Sequence, residues 1–314
     1  MPQLSGVTAL GSANLDLVLR LPDLPAAGQT LLAAPRATGP GGKGLNQAVA
    51  AARAGAGTRF VGAVGSDPEG AQLLQVLAAE GIEATVRTTA GRSGLAVVLV
   101  DAAGENAIVV DQGANAELVD LTPGELAAVA SAQVLLLQLE VPMSTVTEAA
   151  RAAHSAGTTV LLNAAPQAPL DAELCAALDL LVVNEGEARA LAAGTRARRP
   201  GDDRSPEAPD DLDRELVRLL ELVPAVLVTL GPAGALYRDR AGTRHHEPGR
   251  AADVVDTTGA GDSFAGYLAA SLAAGLSVPR AMARANAAAA LCVGRPGAVA
   301  AVPRGGEVDA ASGP

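Results

Sequence analysis

The chain has 314 residues, a formal net charge of −11, and 49% apolar but only 1% aromatic residues. That length gives one large domain or two with ample core built from Leu, Val and Ala. The acidity argues against nucleic acid as a partner, because nucleic acid selects basic patches. Cys175 and Cys292 lie far apart in apolar stretches, which predicts free buried thiols in a reducing compartment. With no signal-like start and no apolar run of roughly 18 residues, a cytoplasmic protein without membrane spans is expected.

Val7 to Leu10 reads as a short buried strand, followed by an apolar stretch from Leu15 to Leu21 and a Pro/Gly/Ala-rich segment from Pro22 to Thr38. Asn46 to Ala56 predicts a helix, Phe60 to Val64 a strand, and Gln72 to Ala79 a helix with Gly81 just past its end. Leu95 to Val100 and Asn106 to Val110 flank a five-residue turn, the pattern of a β-hairpin. Helices are then predicted at Pro123 to Ala130, Met143 to Ala156, Asp171 to Leu178, Glu185 to Ala193 and Leu212 to Leu222. Between them lie the strand patterns Val134 to Leu139, Thr159 to Asn163, Leu180 to Val183 and Ala225 to Thr229. Such alternation predicts an α/β fold with a mostly parallel sheet covered on both faces. The early hairpin does not fit that sheet and is assigned to a small β appendage. The polar, Pro-rich segment 196–211 predicts a mobile surface loop. Ala251 to Val255 reads as a strand leading to a helix from Ser263 to Ala274.

The run from Asp256 to Phe264, Asp-Thr-Thr-Gly-Ala-Gly-Asp-Ser-Phe, is the most informative in the chain. Gly259 and Gly261 permit a tight turn and close ligand approach. The free amides at the helix start, from Gly259 through Ala260 to Asp262, then form an anion site. Asp262 at that mouth is either an ordinary helix cap or a base that takes a proton while negative charge builds beside it.

A second Gly-rich turn, Gly39 to Ala48, carries Lys43, the only lysine in the chain. It lacks the spacing of a P-loop. It reads either as a structural turn with a solvated lysine or as a ligand-facing helix start with Gly42 and the Asn46 amide in reach of ligand oxygens. Asn14, Asp16 and Glu140 sit at strand ends, where α/β sheets bind ligands. Asn184 and Glu187 follow another strand. They suit a hydrated magnesium ion, and equally Glu185 and Glu187 read as acidic first-turn residues supporting the helix dipole. The turn Thr229-Leu230-Gly231-Pro232-Ala233-Gly234 is placed to hold a nucleotide. His154 reads as a helix-surface residue, and His245 and His246 as a polar loop or strand edge.

These motifs, in order, resemble the ribokinase (phosphofructokinase-B) family of carbohydrate kinases: Gly-Ser-x-Asn-x-Asp (11–16), Gly-Gly-Lys-Gly-x-Asn-Gln-Ala (41–48), Gln-Leu-Glu (138–140), Asn-x-x-Pro (163–166), Asn-Glu-x-Glu (184–187), Thr-Leu-Gly (229–231) and the 256–264 run. The resemblance implies a three-layer α/β sandwich with a β-sheet lid, the body comprising 1–15, 39–93 and 112–314 and the lid 16–38 and 94–111. It implies ATP-dependent phosphorylation of the 5-hydroxyl of D-ribose, with other pentoses, a nucleoside, fructose or a ketodeoxy acid as alternative acceptors. On that basis Asp262 is the base and Gly259, Ala260 and Gly261 build the anion hole. Asn14, Asp16, Gly42, Lys43, Asn46 and Glu140 hold the sugar. Asn184, Thr229 to Gly234, Gly261 and Asn286 lie along the nucleotide, with Glu187 near Mg2+ through water. Potassium is implied at Asp256, Thr258, Cys292, Arg295 and Gly297, while a further position, Ala301, offers no side-chain oxygen. A homodimer through the lid is expected.

Overall fold

The computed structural model describes residues 5–102, 106–194 and 211–312. The predicted loop 196–211 lies outside them except for its last residue. The strands are β1 (Ser5–Leu10), β2 (Asn14–Arg20), β3 (Ala37–Gly41), β4 (Thr58–Gly65), β5 (Glu83–Thr89), β6 (Gly94–Val100) and β7 (Asn106–Asp111). They continue as β8 (Ala132–Leu137), β9 (Thr159–Asn163), β10 (Leu180–Asn184), β11 (Ala225–Thr229), β12 (Gly234–Asp239) and β13 (Arg244–Pro248). The helices are α1 (Lys43–Arg53), α2 (Pro68–Ala79), α3 (Pro123–Ala130), α4 (Met143–Ser155) and α5 (Ala172–Ala176). After them come α6 (Glu185–Gly194), α7 (Asp211–Leu222), α8 (Ala260–Ala273), α9 (Val278–Val293) and α10 (Gly305–Ser312).

Among the described residues, nine strands form one sheet in the order β13-β12-β11-β10-β9-β8-β1-β4-β5. It is parallel from β5 to β11, and β12 and β13 add an antiparallel edge. The strand alternation divides the core between two faces. In β8, Val134 and Leu136 point into a cluster with Leu45 of α1, Phe264 of α8 and Met282 of α9. Leu135 and Leu137 point the other way, toward Val129 of α3, Val146 of α4 and Leu219 of α7. All four aromatic side chains (Phe60, Tyr237, Phe264 and Tyr267) belong to the first face, so the second is wholly non-aromatic. Each face is a helix layer on a sheet, which gives the three layers expected.

A second sheet, in the order β3-β2-β6-β7, stands apart from the first. It takes in Asn14 and runs to Gly41, slightly beyond the sequence-predicted bounds. The hairpin of β6 and β7 pairs Gly94-side and Asp111-side residues in antiparallel register, Leu95 opposite Asp111. Several elements differ from their sequence patterns. Residues 251–255 are not a strand: they pair with no sheet neighbour, and Val254 and Val255 are exposed. Their apolar character reflects a place at a cleft, described below. Helix α8 begins at Ala260 and α1 at Lys43, each three residues before its sequence-predicted start. Strand β5, the β12–β13 hairpin and helix α9 have no counterpart in the sequence reading, although the placement of His245 and His246 on an edge strand matches it. His154 is exposed on α4, and both cysteines are buried and free. No helix among the described residues is long and apolar enough to cross a membrane.

Candidate active site

Helices α1 and α8 lie side by side under the first core face. Small residues meet there, Gly266 of α8 facing Ala50 and Ala51 of α1. Gly266 is the point of closest approach, since a Cβ there would stand 2.4 Å from Ala50 Cβ and 2.5 Å from the Gln47 carbonyl oxygen. Asp262 is one turn earlier on the same face of α8, so it is carried against the start of α1. Its carboxylate is buried there. Asn46 Nδ2 donates to Oδ2 and Gln47 Nε2 to Oδ1, each at 2.9 Å.

The start of α8 is set by Gly259, whose φ of 76° lies in the left-handed region that favours glycine. Asp262 is not its cap: no side chain caps this helix. The first-turn amides of Gly261 and Asp262 therefore have no intrahelical acceptor and face outward as an anion site.

Around Asp262 the other sequence-predicted acceptor-binding groups converge. The start of α1 is tied to Glu140, whose Oε2 accepts from Ser12 Oγ at 2.5 Å and from the Lys43 amide at 3.0 Å. Asn14 is buried at the start of β2, and its Oδ1 accepts from Asn115 Nδ2 at 2.7 Å. Asn115 also bridges the Ala13 amide and carbonyl, so it orients the Asn14 amide group. Burial, reinforced by Glu140 and Asp262, raises the Asp16 carboxyl from 3.8 to about 7. Asp262 raises the Lys43 ammonium above its ordinary value, with burial opposing and Glu140 and Glu187 adding. Burial pushes the Glu187 carboxyl up, against the Asn184 amide and Lys43, while Asp262 adds to the rise. One ammonium thus feels three carboxylates, those of Asp262, Glu140 and Glu187.

Asn184 and Glu187 form a reciprocal cap on α6: the Asn184 amide donates to Glu187 Oε2, and the Glu187 amide to Asn184 Oδ1, both at 2.8 Å. This is the helix-supporting alternative left open by the sequence, although Glu187 is also close enough to feel Lys43 and Asp262.

Two cavities meet at the start of α8, and Thr257 lines both. One, of about 540 Å3, is lined by Thr229, Gly231, Pro232, Gly234, Gly261 and Asn286 among others. Asn184, Leu230 and Ala233 are not among its lining residues. The Asn286 amide donates to the Glu247 and Pro248 carbonyls at 3.2 Å, which fixes the end of β13 beside it. The sequence reading missed Arg250, Ala289 and Val293 on this wall. A Gly-Arg pair just before the Asp256 run is the one signal that pointed there.

The other cavity, of about 430 Å3, lies between the small sheet and two loops. Asp16, Val18 and Arg20 line one side, and Val254, Asp256, Thr258 and Gly297 line the other. Asp256 ties the loops together by accepting from the Thr258 and Gly297 amides, each at 2.9 Å. Burial alone would raise its carboxyl, but these hydrogen bonds and the Arg20 charge outweigh it and hold it below the usual value. Cys292 is buried with Sγ 3.9 Å from the Thr258 carbonyl oxygen, and Arg295 reaches Glu307 at 2.5 Å on the surface. Ala301 is buried and hydrogen-bonds the Ala298 carbonyl through its amide.

Residues 5–304 match the family described as pfkB family carbohydrate kinase. Ribokinase of Bacillus subtilis is 37% identical over 311 residues, covering 96% of this chain and 98% of the relative. Ribokinase of Schizosaccharomyces pombe is 34% identical over 314 residues, covering 96% of each. The solved structure of Arabidopsis thaliana ribokinase complexed with ribose and ATP superposes with a TM-score of 0.88 at 31% identity, covering 98% of each chain.

The raised Asp16 carboxyl makes a testable statement about the ligand-free protein. Protonation of a group raised from 3.8 to about 7 stabilises the fold fully below the lower value, and that contribution is lost as pH rises through about 7. Asp16→Asn stays neutral throughout. Melting temperatures taken from about pH 5 to about pH 8 should show the wild type falling relative to the variant. A gap that does not change with pH would contradict the burial of this charge.

Proposed function

We propose, from the premise that the chain belongs to the pfkB family of carbohydrate kinases, that it transfers the terminal phosphoryl group of ATP to the 5-hydroxyl of D-ribose. The observation that carries the mechanism is the Asp262 carboxylate, buried against α1 in the first turn of α8, next to Gly261, which lines the larger cavity. Ribose binds under the small sheet against Asn14, Asp16, Gly42, Lys43, Asn46 and Glu140. ATP lies along Thr229 to Gly234 and Asn286. Asp262 takes the proton of the 5-hydroxyl as its oxygen bonds to the γ-phosphorus, the bond to the β-phosphate oxygen breaks, and ADP leaves. The amides of Gly261 and Asp262 and the Lys43 ammonium receive the charge that grows on the transferred group, whereas the Ala260 amide donates to the Thr257 carbonyl.

The electrostatics support a divalent cation with the nucleotide. A helix N-terminus offers roughly half an elementary charge and Lys43 one more, too little to balance Asp262, Glu140 and Glu187 together with a triphosphate. Among the described residues no group of three or more His, Cys, Asp or Glu could hold a metal ion. Mg2+ carried by the phosphates and its own waters, with Glu187 reached through water, fits that donor set. It would neutralise charge on the phosphates.

Potassium is assigned to the Asp256 loops, with Thr258, Cys292, Arg295 and Gly297 as its holders: the Asp256 carboxylate, kept ionised by the Thr258 and Gly297 amides, suits a weakly hydrated monovalent cation. Bound there, it would steady the turn that presents the anion-hole amides.

The small sheet is the lid and the dimer contact in this reading. Val18 and Val98 face the cleft, while the alternate residues Leu15, Leu17, Leu19 and Val97 are apolar on the outer face. On its edge strand β7, Val109 is 65% exposed. The apolar outer face calls for a second copy, while the cleft face, which carries Asp16 and Arg20 beside Val18, meets the body on closure.

A coupled assay across sugars should give the highest kcat/KM for ribose, above fructose and adenosine; preference for either would reject the substrate assigned. Asp262→Ala should lower kcat by about two to four orders of magnitude, and an unchanged rate would remove the mechanism. Activity should be higher in potassium than in sodium buffer of equal ionic strength, and equal rates would contradict the cation site.

A further inference from the structure

Gln47 has no part in the reaction as described, yet it is fully buried and its Nε2 donates to Asp262 Oδ1 at 2.9 Å. Its own Oε1 is buried without a hydrogen-bond partner. Leaving a carbonyl unsatisfied in the interior is unfavourable, so filling space does not account for an amide where an apolar side chain of the same length would pack. The neighbouring Asn46 donates to the other carboxylate oxygen and carries a buried, unpartnered Oδ1 as well. The two donors differ in what else they serve. Asn46 is required by the sugar, whereas Gln47, about 100° further round α1, sits in the α1–α8 contact where Gly266 brings the helices together.

We propose that Gln47 is a positioning residue for the general base, holding Asp262 Oδ1 throughout turnover so that Oδ2 stays aimed at the acceptor hydroxyl when Asn46 turns to the sugar. This rests on Asp262 being the base. Free of Asn46, a carboxylate on a single-bond rotor has other orientations open to it, and the Gln47 amide selects one. The loss of that restraint is felt in the chemical step, where geometry matters most, and not in the binding of either substrate.

The variant Gln47→Met keeps side-chain length and removes the amide. It should lower kcat about ten- to a hundred-fold, the size expected for one hydrogen bond to a charged group, with KM for ribose and ATP held within about two-fold. Placed on Asp262→Asn, the same change should cost at most about two-fold more, because the two residues act as one unit. Unaltered kcat, a loss carried by KM, or full additivity on Asp262→Asn each overturns the proposal. Wild-type activity in Asp262→Ala would instead remove the base and Gln47's role together, which separates the two failures. Should Gln47→Met not fold, the side-chain amide resonances of Gln47 are compared between wild type and Asp262→Asn. A displaced resonance supports the contact with the charged carboxylate, and an unmoved one overturns it.

Discussion

Helices α1 and α8 meet through alanine and glycine, and the closeness of that contact decides where the acidic group of α8 can stand. The residues joined there are 216 positions apart in the chain, so nothing local places them. Larger side chains at Ala50 or Gly266 would force the helices apart, and overpacked interiors relax by moving backbone. The amides of Asn46 and Gln47 reach Asp262 only because the gap is so small.

That packing gathers negative charge in a dry place. Asp262, Glu140 and Glu187 act on Lys43, and Glu140 and Asp262 act on Asp16 as well, so one set of charges reaches both groups. Such a cluster is unfavourable without a ligand, and the protein tolerates it by leaving Asp16 close to half protonated near neutrality. A sugar brings hydroxyl donors to these carboxylates; a phosphorylated nucleotide meets amides and the ammonium.

The sequence made much of this legible, for reasons that differ by element. The 256–264 run and the 41–48 turn announce themselves because glycine in such density has few purposes other than close approach. The body strands were readable from β-branched runs bounded by turns. Helix α9 was not, because Ala287 to Ala290 has no polar face to set a period. Strand β5 was missed because its residues alternate only weakly on an exposed edge, and 251–255 was misread because two valines lining a cleft look like sheet. The Asn184–Glu187 pair was open between two readings, and its reciprocal cap came only from coordinates. The grip of Gln47 on Asp262 was invisible for the same reason as the helix contact itself: it is purely tertiary.

Lys43 carries a last implication. Arginine serves every other cationic position in the chain, and its wide planar fork cannot replace a compact point charge in a pocket this narrow. The protein consequently owns one side-chain primary amine, and it lies within reach of the charges of Asp262, Glu140 and Glu187. Chemistry that seeks amines would find, apart from the chain's first residue, only this centre, which gives the molecule a built-in single-site reporter of whether its cleft is filled.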